Sequence, residues 1–125
     1  ANAMSLPKVI KYNSKNAVAA ERYAAIADFI KLGGSTVTEK VDLLIAELRK
    51  MNDALNIPQA IKNYGPGGVK ADTSIIDEKE FLEKLPEVAA NAISDACTGS
   101  NPRQPSQEDM EKLLKACYYD LEIDF

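Results

Sequence analysis

The stretch DACTGSNPRQP, Asp95 to Pro105, separates two helical patterns and decides how the chain on either side of it is read. Gly99 can take the left-handed backbone that ends a helix, Pro102 and Pro105 forbid its continuation, and Ser106 stands where it would cap the next one. The local prediction is helix, stop, helix. A linker whose only task is to reverse the chain has no need of Asp95, Cys97, Thr98, Asn101 and Arg103 in so short a span, so the loop is the first candidate for a functional element.

Working outward, the flanks carry the helical period. After the loop, Met110, Leu113, Leu114, Cys117 and Tyr118 fall on one face of a helix begun by Ser106. Before it, Val88, Ala89, Ala92, Ile93 and Ala96 form an apolar stripe. Asp77 to Glu80, DEKE, has capping-box spacing, and Pro86 is expected to force a break or a new first turn. A second box, TVTE at Thr36 to Glu39, precedes Val37, Val41, Leu44, Ile45, Leu48, Met51 and Leu55, one face of a long helix that Asn56 and Pro58 end. Lys40, Glu47, Arg49, Lys50 and Asp53 fill the other faces, a pattern read as solvated. Further upstream Ala19, Tyr23, Ile26, Ala27 and Ile30 repeat the period up to Gly33 and Gly34, and the many alanines there let a neighbouring helix come close. No stretch alternates with period two over strand length. Tyr64 to Ile76 is the least regular segment, and Gly65 to Gly68, GPGG, reads as a flexible turn. The predicted fold is all-α: one domain over residues 1–125, an antiparallel bundle of about six helices.

Composition narrows the functional classes. The apolar fraction of 46% is enough for a core, and a net charge of -4 without a basic block argues against nucleic acid and against anionic membrane surfaces. No apolar run approaches the ~20 residues of a membrane-spanning helix, and no signal peptide is visible. There is no histidine, so a four-helix metal site built on Glu-x-x-His pairs is excluded, and neither GxGxxG nor a Walker loop is present. Cys97 and Cys117 lack zinc-site spacing. Cys117 reads as a buried free thiol, and Cys97 has no histidine to activate it as a nucleophile. Accordingly, no catalytic residue and no metal ligand is assigned to this chain.

DACTGSNPR resembles the C-terminal signature of the iron-dependent (group III) alcohol dehydrogenases, in which an Asp, a Cys-Thr pair and an Asn-Pro-Arg follow at this spacing. ANAMSLPKVIKYN, Ala1 to Asn13, resembles the stretch that in the same family follows a His-Gly pair whose histidine is the last metal ligand. Ala1 to Ala3 ahead of Met4 also match a cloning remnant, which would put the natural start at Met4. The resemblance covers nearly the whole chain and about the last third of a family member. It implies part of the helical C-terminal domain of a dehydroquinate synthase-like fold, a C-terminal fragment of a two-domain enzyme that passes a hydride between an alcohol carbon and a nicotinamide. Iron, or another divalent metal, and NAD(P) would be held by the missing N-terminal nucleotide-binding part and its metal ligands, and none by this chain.

The resemblance also implies a cytoplasmic location, a homo-oligomer as a possible assembly, and a substrate-pocket position for Cys97 and Thr98. Asp95, Gly99, Asn101, Pro102 and Arg103 would form the structural signature loop. Independently of the resemblance, Asp95 falls near a helix C-terminus, where a negative charge is unfavourable against the dipole, so Arg103 is expected to fold back and pair with it, and Asn101 to satisfy exposed carbonyls of the preceding helix. Part of the stripe formed by Leu6, Val9 and Ile10, or by Ile93, is expected to stay uncovered. The tail YYDLEIDF, Tyr118 to Phe125, resembles those of bifunctional aldehyde-alcohol dehydrogenases, but the Asn13 to Arg22 stretch is shorter than theirs, which favours a single-function parent. The alternative open at this point is a free-standing helical interaction module without catalysis.

Overall fold

The computed structural model describes residues 2–125. They form five α-helices, α1 (Asn2–Asn13), α2 (Ala17–Phe29), α3 (Val37–Ala54), α4 (Glu78–Ser94) and α5 (Gln107–Tyr119), with three short 3-10 turns at Ile61–Asn63, Pro66–Gly68 and Thr98–Ser100. Among the described residues the only β pairing is a single bridge between Tyr64 and Lys70, and no helix is long and apolar enough to cross a membrane.

Side-chain caps start the helices where the sequence predicts. Thr36 Oγ1 accepts from Glu39 N at 3.1 Å, Asp77 Oδ2 from Glu80 N at 3.1 Å, and Ser106 Oγ from Asp109 N at 3.1 Å. Glu39 closes its box on Ser35, whose N–H and hydroxyl both donate to its carboxylate at 2.8 Å. Asn16 caps α2 by accepting from Ala19 N.

The helix count falls one short of expectation because Pro86 does not break α4. Proline removes one N–H and leaves the carbonyl four residues back without its partner. That residue is Leu82, 40% exposed, where water can take the bond. Pro7 lies inside α1 by a different device. It deprives the Ala3 carbonyl, and the buried Asn52 of α3 donates to that oxygen at 2.9 Å.

Helix α1 is the middle layer. Its Ile10 packs with Ala20 of α2 and Val41 of α3, while Tyr12 packs with Ala89 of α4, with Met110, Leu113 and Ala116 of α5, and with Ile123 of the tail. The α2/α3 hairpin therefore covers one side of α1 and the α4/α5 pair the other. Antiparallel pairing of α1 with α3 is fixed at both ends, by Ala3–Asn52 and by a Lys11–Asp42 ion pair at 2.9 Å. α4 and α5 are likewise antiparallel, with Gln107 donating to the Pro86 carbonyl and Tyr119 to Glu78. The segment between α3 and α4 is irregular, as expected, and docks by the Tyr118 hydroxyl on the Ile76 carbonyl at 2.9 Å.

Several stripe residues lie elsewhere than the period suggests. The buried face of α2 is made of Ala19, Ala20, Ala24 and Ala27, which allow close approach to α3, and this turns Ile26 and Ile30 outward. Val37, Met51 and Leu55 at the two ends of α3, and Val88 on α4, are exposed, because the neighbouring helices do not extend over them. Of the residues expected to be uncovered, Leu6 is exposed, Val9 and Ile93 are half-buried and Ile10 is buried.

Asp120, just past α5, ties three elements together. It adopts a left-handed backbone (φ 58°, ψ 50°), which Asp tolerates better than most residues. There its carboxylate takes both Arg49 nitrogens, at 2.9 and 2.8 Å, and Lys8 at 2.7 Å. The Arg49 hydrogen bonds first, then those of Lys8, hold the Asp120 carboxyl down at about 2, below its ordinary 3.8. A folded value below the unfolded one stabilises the fold above the ordinary carboxylate range, and that contribution disappears as pH falls from 3.8 through 2. Allowing for screening by water, Asp120→Asn should cost about 1 kcal/mol at neutral pH, measured by urea unfolding, and much less than that at pH 2. Asn keeps the left-handed tolerance, so equal costs at both pH values would rule out the ionic origin.

Candidate functional site: the loop between α4 and α5

α4 ends at Ser94 because Asp95 leaves the helix with extended backbone (φ -65°, ψ 136°). Asp95 Oδ1 then accepts from Cys97 N at 2.7 Å, an Asx turn that starts the loop, and Thr98 Oγ1 donates back to the Ala92 carbonyl at 2.6 Å. A 3-10 turn follows at Thr98–Ser100. Gln104 Nε2 fills its open side by reaching the carbonyls of Thr98, Gly99 and Asn101.

The second half of the loop is bound to α1. Asn101 and Asn13 exchange reciprocal amide hydrogen bonds, at 2.8 and 3.0 Å, and Asn101 Nδ2 also donates to the Arg103 carbonyl. Asn16 Nδ2 donates to the Pro102 carbonyl. Arg103 lies across the Tyr12 ring, its guanidinium carbon 3.9 Å from the centroid, and Nη1 donates to the carbonyls of Tyr12 at 3.0 Å and Phe125 at 2.7 Å. Tyr12 donates its hydroxyl to Asp109 Oδ2 at 2.9 Å. Burial first, and then this hydrogen bond, push the Tyr12 phenol up to about 12.

All seven residues singled out in the sequence thus belong to one folded loop, with three corrections to how they work. Arg103 does not pair with Asp95: its fork is occupied by the carbonyls of Tyr12 and Phe125, with Asp109 Oδ2 at 4.0 Å, and the Asp95 carboxylate is taken by the Cys97 N–H. Asn101 does not serve the preceding helix, a task that falls to Thr98. Gly99 is not left-handed, since Asp95 has already turned the chain, and the space where its side chain would stand is open. Cys97 is exposed and Thr98 half-buried. Cys117 is buried, and burial pushes its thiol up to about 11, leaving it inert. Tyr12, Asn13, Gln104 and Asp109 complete the site and were not singled out from the sequence. A shared loop-to-α1 polarity at KYN and PRQ was the only available signal.

A cleft of about 550 Å³ lies elsewhere, between α1 and α3, lined by Lys8, Lys11, Asp42, Arg49, Asp120 and Glu122. Lys11 is committed to Asp42, and Lys8 and Arg49 to Asp120, which makes the cleft a structural ion-pair network. With no histidine in the sequence and no group of three His, Cys, Asp or Glu side chains among the described residues that could hold a metal ion, the chain's own residues do not fit an iron site.

Arg103→Ala removes two charge-assisted hydrogen bonds and the stacked cation, and should destabilise the fold by roughly 2–3 kcal/mol in urea unfolding. Arg103→Lys should recover less than half of that, because an ammonium cannot reproduce the planar fork. A cost under ~0.5 kcal/mol for Arg103→Ala would show that the clamp does not hold the loop.

The model of the Fe-containing alcohol dehydrogenase family, C-terminal, matches residues 1–118. Among curated relatives, an NADPH-dependent butanol dehydrogenase of Clostridium saccharobutylicum is 45% identical over 125 residues, covering 100% of this chain and 29% of that protein. An aldehyde-alcohol dehydrogenase of Clostridium acetobutylicum is 37% identical over 131 aligned positions, covering 94% of this chain and 14% of that protein. An alcohol dehydrogenase of Thermococcus barophilus is 34% identical over 119 residues, 95% of this chain and 27% of that protein. The chain therefore spans less than a third of the length of these relatives. A family match over nearly the whole chain, on an all-helical fold, establishes that this chain belongs to the Fe-containing alcohol dehydrogenase family, as the C-terminal helical part of such a protein.

Proposed function

We propose that this chain is one helical domain of a two-domain, iron- and NAD(P)-dependent alcohol dehydrogenase, a cytoplasmic enzyme that interconverts alcohols and aldehydes by hydride transfer. An upstream nucleotide-binding domain, on which the helices pack, would bind the nucleotide. The metal ligands would also lie upstream, since the residues described above do not fit an iron site. By itself the chain has no catalytic role. Its contribution is a wall of the substrate cleft, at the loop that carries Cys97 and Thr98.

The observation that carries this reading is the division of labour in the loop. Asp95, Asn101 and Arg103 all bond inward, to the loop itself or to α1, and hold the backbone in place. The Cys97 side chain, at the tip of this braced turn, is left exposed. A rigid loop presenting one soft, apolar thiol suits a pocket wall that selects alcohols by shape. Thr98 spends its hydroxyl on Ala92, so its part is to fix the position of Cys97 and to offer its methyl group. A single-function parent is supported by the butanol dehydrogenase alignment, in which 125 positions cover 100% of this chain, against 131 positions for 94% of it in the aldehyde-alcohol dehydrogenase.

The test is made in the full-length polypeptide, assayed for alcohol oxidation with added iron and NAD(P). Cys97→Trp should lower kcat/KM for long-chain alcohols at least tenfold relative to short ones, while the melting temperature stays within a few degrees. A uniform loss across alcohols, or no change, would remove Cys97 from the cleft. An upstream reading frame without a nucleotide-binding domain would remove the parent reading itself.

A further inference from the structure

Cys97 and Asn101 flank one short turn. The 3-10 turn Thr98–Ser100 starts from Cys97, whose carbonyl accepts from the Ser100 hydroxyl at 2.8 Å, and it ends on Asn101, whose N–H donates to the Thr98 carbonyl at 3.0 Å. The group that holds the Asn101 side chain lies outside the loop. It is Asn13, the last residue of α1, which is only 2% exposed.

Asn13 and Asn101 face each other as an amide pair, each donating to the other's oxygen, at 3.0 and 2.8 Å. The Arg103 carbonyl can only accept, so Asn101 Nδ2 has to face it, and the Asn101 oxygen is left for Asn13. Asn13 Nδ2 also donates to the Tyr23 hydroxyl at 3.2 Å, which brings α2 into the same junction. At this depth Asn13 has no water to take the place of a lost partner, so its bonds are made to the loop and to α2 or not at all.

We propose that Asn13 is a positioning residue for the Cys97 turn: its amide pair with Asn101 sets where that turn stands against α1, and through it how sharply alcohols of different size are discriminated. Asn13 touches no substrate in this role, which rests on the cleft-wall reading of Cys97. Asn52 separates this role from a purely structural one. It is almost as enclosed, at 5% exposure, and it too bonds α1, but at the Ala3 carbonyl, ten residues and about 15 Å along the helix from Asn13.

The test uses the full-length polypeptide with iron and NAD(P), and a series of straight-chain primary alcohols. Asn13→Ala should narrow the spread of kcat/KM across the series by about three- to tenfold, as a wall that is no longer held in place rejects less. Asn101→Ala, which breaks the same pair from the less buried side, should do the same if Asn13→Ala folds poorly, and the double variant should narrow the spread no further. Asn52→Ala should lower the melting temperature and leave the spread as it was. Independently of activity, the Thr98 and Asn101 amides, bonded to the Asp95 and Thr98 carbonyls, should exchange with deuterium roughly tenfold faster in Asn13→Ala and not in Asn52→Ala. An unchanged spread in both pair variants, an equal narrowing by Asn52→Ala, or additive effects in the double variant would overturn the proposal. If Cys97→Trp reshapes the spread while the pair variants do not, this role alone falls; if Cys97→Trp changes nothing, the cleft-wall reading falls and takes the role with it.

Discussion

The fold rests on a constraint placed on α1, a short helix that must be covered on two sides at once. Ile10 needs the α2/α3 hairpin and Tyr12 needs the α4/α5 pair, so neither half is a complete core without it. Its polar residues are used in the same way. Lys8 bonds Asp120 and the Leu121 carbonyl, Lys11 bonds Asp42, and Asn13 bonds Asn101, which ties α1 to the tail, to α3 and to the loop between α4 and α5. Lys8 and Asn13 are buried charged or polar groups, and each is costly unless its partners are in place. The helix therefore specifies the arrangement of its neighbours as well as contributing to their stability.

The signature loop follows from that arrangement. Its side chains make hydrogen bonds a β-turn would not require, to carbonyls and amides of α1, of the C-terminal tail and of the loop itself. The effect is a surface loop tied along its second half to α1 and the tail, on which Cys97 is left exposed. Asp95, Thr98, Asn101 and Arg103 each spend a side chain on shaping this backbone or on anchoring it, whereas Cys97 takes part only through its backbone.

Local features were legible from the sequence and distant ones were not. The caps at Thr36, Asp77 and Ser106 involve residues three apart, and all three form. The all-helical class and the buried Cys117 followed from periodicity. Pro86 misled because a proline ends a helix only if the orphaned carbonyl has no other partner, and that depends on which side faces water. Ile26 and Ile30 misled because α2 presents alanines to α3, so residue size predicted the wrong face. Arg103 is matched by helix-dipole reasoning with Asp95, at the start of the same loop, while its actual partners, Tyr12 and Phe125, are 91 and 22 residues away. At the site, the loop's membership was readable and its wiring was not.

The six residues after α5 contain no helix, yet they give Ile123 to the core, Phe125 to the Tyr12 ring, and carbonyl oxygens to Lys8, Lys15 and Arg103. In synthesis they follow all five of the helices described above. During synthesis α1 emerges first and must wait, with one flank bare, until the final turn of α5 and this tail are clear of the exit tunnel. Closure of the bundle consequently waits on this tail: the five helices cannot lock residue by residue as they are made, and a nascent chain stalled anywhere before Asp120 presents an incompletely closed bundle to chaperones and proteases.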